Sequence, residues 1–139
     1  MNFLAHAFLS GSNDQLLIGN FIADAVKGND IERYTEDIRK GIMLHRSIDS
    51  YTDSHPMFVQ SKTRIQSEYG RFAGVVIDIY YDHFLALNWS NYSEHDLSEF
   101  ALKIYRLMLR NYKILPHKSK RMLPYMIIHN WLVGYSRSA

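Results

Sequence analysis

A set of acids and imidazoles occupies positions where this chain otherwise calls for core. The run Val75-Val76-Ile77-Asp78-Ile79-Tyr80-Tyr81-Asp82-His83-Phe84-Leu85 is the most apolar in the sequence, yet it holds two carboxylates and a histidine. Asp78 and Asp82 are four residues apart, a spacing that stacks both on one helical face with Cβ atoms about 6 Å apart. Carboxylates are rarely buried alone, because removing water from a charge is unfavourable. Basic side chains, a metal ion or retained water must compensate them. The same spacing joins His45 to Asp49 and Asp49 to Asp53, while Asn20 and Asp24 share a face and His6 stands alone near the start. Such pairs can each offer two ligands to one ion, and several helices together wall a site. Imidazole combined with carboxylate is what a divalent hydrolytic metal needs: the ion lowers the pKa of water, and a neighbouring His or Asp takes the proton. The competing structural reading pairs Asp49 with Arg46 or Arg39 and gives Asp78 a buried partner in Arg46. In that reading His6 is a satisfied core histidine and Asp53 a capping or solvated acid.

The elements that must position these groups are helical. An opening helix is expected over 2–9, followed by a Ser10-Gly11-Ser12-Asn13 turn. Asn13 is an N-cap for a helix over 14–27, with Asp14 in its first turn and Gly28 beyond its end. Apolar spacing at Ile38, Ile42, Met43 and Ile48 predicts a helix over 35–52. Pro56 fits a first helical turn, so another helix runs from there to Tyr69 and stops at Gly70. The apolar run lies on a helix over 72–87. Ser93, Glu94 and Asp96 open a helix over 94–112, whose inward face is Ile104, Tyr105, Met108, Leu109 and Tyr112. A last segment over 118–135 is bent or divided at Pro124. No strand pattern, repeat or linker is present, so the expectation is one all-α domain over 1–139 with a helical-bundle architecture.

Composition narrows the chemistry. With 139 residues, 47% of them hydrophobic, the chain can bury a full core. It contains no cysteine, which excludes disulfides and thiolate metal sites. A metal here is held by oxygen and imidazole nitrogen, a donor set suited to Mn, Mg, Fe or a His/carboxylate Zn site. The opening Met1-Asn2-Phe3-Leu4-Ala5-His6 lacks the basic leader of a signal peptide, and no apolar run approaches the ~20 residues of a membrane span, so a soluble cytoplasmic protein is expected. All 14 acidic residues lie at or before Glu99, whereas from Phe100 onward there are lysines and arginines and no acids. Lys103, Arg106, Arg110 and Lys113 recur at three and four and form a basic stripe. Its natural partners are acidic proteins, phosphates and nucleic acids. Nucleic acid is the weaker choice, because no recognition motif accompanies the stripe.

Several separated motifs, in register from residue 1 to about 90, resemble one family. They are Met1-Asn2-Phe3-Leu4-Ala5-His6; Gly19-Asn20-Phe21-Ile22-Ala23-Asp24-Ala25-Val26-Lys27-Gly28; Gly41-Ile42-Met43-Leu44-His45-Arg46-Ser47-Ile48-Asp49 with Thr52-Asp53; and Asp82-His83-Phe84-Leu85 with Asn88-Trp89. A weaker echo follows at Asn130-Trp131-Leu132-Val133-Gly134-Tyr135. Together they resemble the acyl carrier protein phosphodiesterases, which are similar to the all-helical, metal-dependent HD phosphohydrolases. The resemblance implies hydrolysis of the phosphodiester joining 4′-phosphopantetheine to a serine of holo-acyl carrier protein, with Mn²⁺ the usual ion and Mg²⁺ or Fe²⁺ the alternatives. Carried over by motif, His6, Asp24, His45, Asp49, Asp78, Asp82 and His83 surround the site. Asp24, His45, Asp49 and Asp78 are assigned to the metal. His6, Asp82, His83 and Arg46 are assigned to catalysis, Arg46 neutralising phosphate charge or bracing Asp49. The basic stripe then has a partner, since acyl carrier proteins are acidic, and it would steer that partner in. Members of the family run on past this C-terminus, and an apolar face left uncovered would favour a homodimer.

Two other readings compete. One is an HD-like phosphohydrolase acting on a different phosphoester. The other is a non-enzymatic helical module whose inward acids pair with Arg46 and whose basic part binds an acidic partner.

Overall fold

The computed structural model describes residues 1–137. Eight α-helices follow in order: α1 (Phe3–Leu9), α2 (Asp14–Ile22), α3 (Glu36–Ser54), α4 (Pro56–Tyr69), α5 (Ala73–Leu87), α6 (Leu97–Arg110), α7 (His117–Ile128) and α8 (Trp131–Gly134). Short 3₁₀ turns connect several of them, and there is no strand among the described residues. The all-α, single-domain expectation therefore holds, and no helix is long and apolar enough to cross a membrane.

Local chemistry sets the helix ends. Asn13 caps α2 as expected, its Oδ1 accepting from the N–H groups of Gln15 at 3.0 Å and Leu16 at 3.1 Å. Pro56 stands in the first turn of α4, where a missing N–H leaves no bond unmade, and the His55 side chain caps the same turn through the N–H of Met57. Several expected boundaries move. The helix expected over 94–112 runs from Leu97 to Arg110, and Leu109 and Tyr112 of its expected inward face are exposed. The second helix stops at Ile22, and Ala23–Ala25 tightens into a 3₁₀ turn that carries Asp24 off the α2 axis. In the last segment Pro124 stays inside α7, and the division falls at Asn130, which adopts the left-handed conformation with φ 46°.

The core is formed by Leu4, Leu17, Ile18, Ile22, Ile42, Ile104, Met108, Leu123, Met126 and Leu132, with further residues around them. Its tightest seam is the crossing of α2 and α3. A Cβ built on Gly19 would lie 2.0 Å from the Ile38 carbonyl oxygen, and one on Gly41 would lie 2.2 Å from that of Leu16. Only the absence of a side chain at both positions lets the two backbones touch. α1 packs between α2 and α5, and α7 packs on the turn that carries Asp24. On its outer side α5 leaves Val75, Ile79, Tyr80, Phe84 and Leu87 exposed, and Phe72 just before it is exposed too. A groove of about 730 Å³ follows part of this face and is also lined by His83, His129, Trp131 and Tyr135.

Candidate metal centre

The seam at Gly19 and Gly41 fixes what lies beside it and further along each chain segment. Asn20 and Asp24 come from the α2 side, and His45 and Asp49 from α3. α1 adds His6. The carboxylate of Asp49 is the hub: His6 Nε2 lies 2.9 Å from its Oδ1, and His45 Nε2 lies 3.2 Å from its Oδ2. His45 Nε2 is also 3.2 Å from Asp24 Oδ1. The two imidazole rings stack, with centroids 3.8 Å apart and planes 11° from parallel. One donor atom from each of His6, His45 and Asp49 lies within 4.8 Å of the other two, a grouping able to hold a metal ion. Both histidines are buried, whereas the Asp24 side chain is 71% exposed, so the cluster reaches solvent on the Asp24 side.

Electrostatics tie the groups together. Burial works against a charge on His45, but hydrogen bonds to Asp24 and Asp49 outweigh it and push the pKa to about 9. Hydrogen bonding by His45 holds the Asp24 carboxyl below its usual range. Burial alone would raise Asp49, yet the contacts with His45 and His6 keep it well below the ordinary carboxylate value. Without metal, the surplus negative charge is thus met by a proton on His45. A divalent ion competes with that proton for the same nitrogen. The donors fit such an ion: two imidazole nitrogens and carboxylate oxygens, with no sulfur, suit Mn²⁺, Fe²⁺ or Zn²⁺. His6 Nδ1 is buried and has no hydrogen-bond partner within the protein.

A pH dependence follows for the metal-free protein. Because the folded pKa of His45 is raised from 6.5 to about 9, its contribution to stability is complete below about pH 6.5 and is lost as pH rises through 9. The melting temperature of chelator-treated protein is expected to fall across that window. The fall should be absent in His45→Gln and suppressed by excess Mn²⁺, as differential scanning fluorimetry can check.

The remaining expected site residues lie elsewhere. Asp78 faces the Met1 amino group, 2.9 Å from its Oδ1, and the same amine is 3.3 Å from Asp49 Oδ1. Burial opposes the charge on that amine, but Asp78 and Asp49 raise its pKa. Asp78 is thus linked to the cluster through the amine and is not among the grouped donors. Asp82, expected to act on water, is fully buried beneath α1, where its Oδ2 accepts from Leu4 N–H at 2.8 Å and its Oδ1 from Ala5 N–H at 3.2 Å. Burial raises its pKa to about 6, against the pull of those two N–H bonds. It caps the helix that carries His6. Asp82→Ala would strand two buried donors at about 1–3 kcal/mol each, so a loss of about 3 kcal/mol in urea unfolding is expected.

His83 lies beside Asp82 but turns to the Tyr135 carbonyl, 2.6 Å from its Nδ1. Arg46 points away from Asp49; its guanidinium contacts the Val26 carbonyl at 3.4 Å and Met43 sulfur at 3.9 Å. The arginine-paired reading of the inward acids thus fails, because imidazole and amine fill that role. The basic stripe is divided. Lys103, Arg106 and Arg110 line one cleft on α6, while Lys113, carried off by the Tyr112–Ile114 turn, lines another with Arg33, His117 and Lys120. Sequence reasoning placed Asn20 on one face with Asp24 but gave it no role, and it passed over the two seam glycines. The only available signal was a glycine inside each of two apolar helical patterns.

An all-helical scaffold that turns two imidazoles and two carboxylates toward one another defines a helical protein with a His/Asp cluster able to hold a cation. Comparison with known proteins gives it a family. The sequence model of the acyl carrier protein phosphodiesterases matches residues 1–139. The acyl carrier protein phosphodiesterase of Photorhabdus laumondii subsp. laumondii is 35% identical over 137 residues, 98% of this chain and 69% of that protein. Those of Yersinia pestis and Escherichia coli are 33% and 36% identical, each matched over about 70% of its own length (71% and 70%) and nearly all of this chain (98% and 97%). No solved structure matches the chain. The chain belongs to the acyl carrier protein phosphodiesterase family, a family of hydrolases.

Proposed function

We propose that this chain hydrolyses the phosphodiester joining 4′-phosphopantetheine to the serine of holo-acyl carrier protein, in the cytoplasm and with a divalent ion, by preference Mn²⁺. Water adds to phosphorus and the bond to the serine oxygen breaks. The products are apo-carrier protein with a free serine hydroxyl and 4′-phosphopantetheine. The observation that carries this reading is the gathering of His6, His45 and Asp49 donor atoms within 4.8 Å of one another in a chain of this family.

In this reading His6 and His45 would hold the ion through Nε2, and Asp49 would hold it through its carboxylate. When bound, the ion supplies Lewis acidity to the phosphodiester and to water. Asp24 would accept the proton of the attacking water; its exposure on the solvent side of the cluster supports that role. Asp49, held ionised by both histidines, keeps their Nε2 atoms turned to one point. Asp82 keeps α1, and with it His6, in register. The Met1 amine, itself held by Asp78, braces Asp49. Lys103, Arg106 and Arg110, with Lys113 on the neighbouring cleft, attract the acidic carrier protein from a distance.

The test is release of 4′-phosphopantetheine from holo-carrier protein, followed by mass spectrometry of the carrier. The expected result is conversion to the apo form with Mn²⁺ and none with excess chelator. KM should rise with salt if docking is electrostatic. Equal conversion by wild type and Asp24→Ala would refute the assignment.

A further inference from the structure

Asn20 is 1% exposed and every polar atom of its side chain is engaged. Its Nδ2 donates to the His6 carbonyl at 3.0 Å and to Ser10 Oγ at 2.8 Å. Ser10 Oγ in turn donates to the His6 carbonyl at 2.8 Å, which leaves its lone pairs for Asn20. The amide is therefore oriented by the network, with nitrogen toward α1 and oxygen toward α3. That oxygen is 2.9 Å from His45 Nδ1, and the Asn20 main-chain carbonyl is 3.0 Å from the same nitrogen. Two acceptors facing one ring nitrogen require a proton on it. Nε2 is then the nitrogen with a free lone pair whenever the ring is neutral. It is this nitrogen that faces Asp24 and Asp49, both at 3.2 Å.

The main-chain carbonyl belongs to the last turn of α2, where helical carbonyls lack partners within the helix. It contributes to His45 whatever side chain stands at position 20. The side chain adds something the main chain cannot: one rigid amide holds the ring of His45 on α3 and the backbone of His6 on α1. It thereby sets the separation of the two imidazoles, whose centroids are 3.8 Å apart. We propose that Asn20 is the positioning residue of the cation site, coupling the two imidazole donors so that both Nε2 atoms meet the same ion. This rests on the reading of His6, His45 and Asp49 as metal donors. Groups that orient a ligand without touching the ion typically govern metal affinity by 10- to 100-fold.

The experiment measures Mn²⁺ affinity by isothermal titration calorimetry on the full chain, with folding checked by circular dichroism. Asn20→Ala is expected to weaken binding by about 10- to 100-fold. Asn20→Asp offers His45 an acceptor but cannot donate to the His6 carbonyl, so it too is expected to weaken binding by at least about 10-fold. Ser10→Ala breaks the same interhelix network without touching His45. It separates positioning from simple packing: it should lower the melting temperature while leaving Mn²⁺ affinity within about threefold of wild type, well under the loss at position 20. Folded Asn20 variants that bind Mn²⁺ as wild type does, or that lose no more than Ser10→Ala, overturn the proposal. A second measurement applies should the Asn20 variants not fold. Long-range ¹H–¹⁵N spectra of Zn²⁺-loaded wild type must show His45 protonated at Nδ1 and ligating through Nε2, and the opposite assignment overturns the proposal. Wild type that binds no Mn²⁺ refutes the metal reading itself, and the proposal with it; normal wild-type binding with unaffected Asn20 variants refutes the proposal alone.

Discussion

Asp49→Asn is expected to abolish phosphodiester hydrolysis to within background, a loss of more than about 100-fold. The reasoning starts from connectivity. Asp49 is the one residue whose two oxygens each meet a different imidazole, at 2.9 and 3.2 Å. Mutating a group that merely orients a ligand loses 10- to 100-fold; removing the charge at the hub affects both histidines and any ion between them, so the loss must exceed that range. The amide is isosteric, which keeps the packing and isolates the charge. Apparent stability tells the two effects apart. Metal-free Asp49→Asn should remain folded and cooperative, while added Mn²⁺ no longer raises its melting temperature. Side-by-side turnover and thermal-shift assays with and without Mn²⁺ give the answer. An Asp49→Asn protein that keeps a tenth of wild-type activity would remove Asp49 from the centre of the site.

The second large effect is at the helix crossing. Gly41→Ala adds a methyl group whose carbon would sit 2.2 Å from the Leu16 carbonyl oxygen and 2.9 Å from Gly19 Cα, both main-chain atoms. A side chain could rotate away; a helix backbone cannot. α2 and α3 must separate, and the core on both sides of the seam opens with them. Overpacking a core usually lowers stability by 1–3 kcal/mol, and a clash with main chain lies at or beyond the upper end. A loss of at least about 3 kcal/mol in chemical denaturation is expected, against a total that for a domain of this size is about 5–15 kcal/mol. The site suffers before the fold does. Separating the helices by about 1 Å pulls Asn20 and Asp24 from His45, and misplacement on that scale can lower rate by 100-fold. Gly19→Ala should behave alike, since its Cβ would meet the Ile38 carbonyl at 2.0 Å. Gly134→Ala, which meets nothing within 4 Å, is the matched control.

Much of this was legible in the sequence, and the rest was hidden for identifiable reasons. His45 and Asp49 are four apart on one helix, so their meeting follows from helical geometry alone. The Asn13 cap and the Pro56 start of α4 are local chemistry, and local chemistry is what a sequence records best. Asp24 was legible as sharing a face with Asn20, though the 3₁₀ turn that presents it was not. Asp78 and Asp82 show the limit. Their spacing correctly put them on one face, but spacing does not name the neighbour across that face. The neighbour is α1, whose own N-terminus needs acceptors, and Asp82 supplies them. Pairing Asp49 with Arg46 or Arg39 stayed open as an alternative because charge in sequence was the only guide; in the fold the imidazoles are nearer. The Gly19–Gly41 seam could not be read because a helical glycine has no pattern of its own. Its meaning appears only once two such glycines face each other.

The central claim is that His6, His45 and Asp49 are gathered to hold one divalent ion, with Asp24 beside them. Electron paramagnetic resonance of free Mn²⁺, titrated with the full chain, tests it most directly, because bound ion loses the sharp signal of the aqueous one. The account predicts removal of one Mn²⁺ per chain by wild type and negligible removal by Asp49→Asn. An undiminished Mn²⁺ signal at protein concentrations well above those that support hydrolysis, or equal removal by the two proteins, would contradict it.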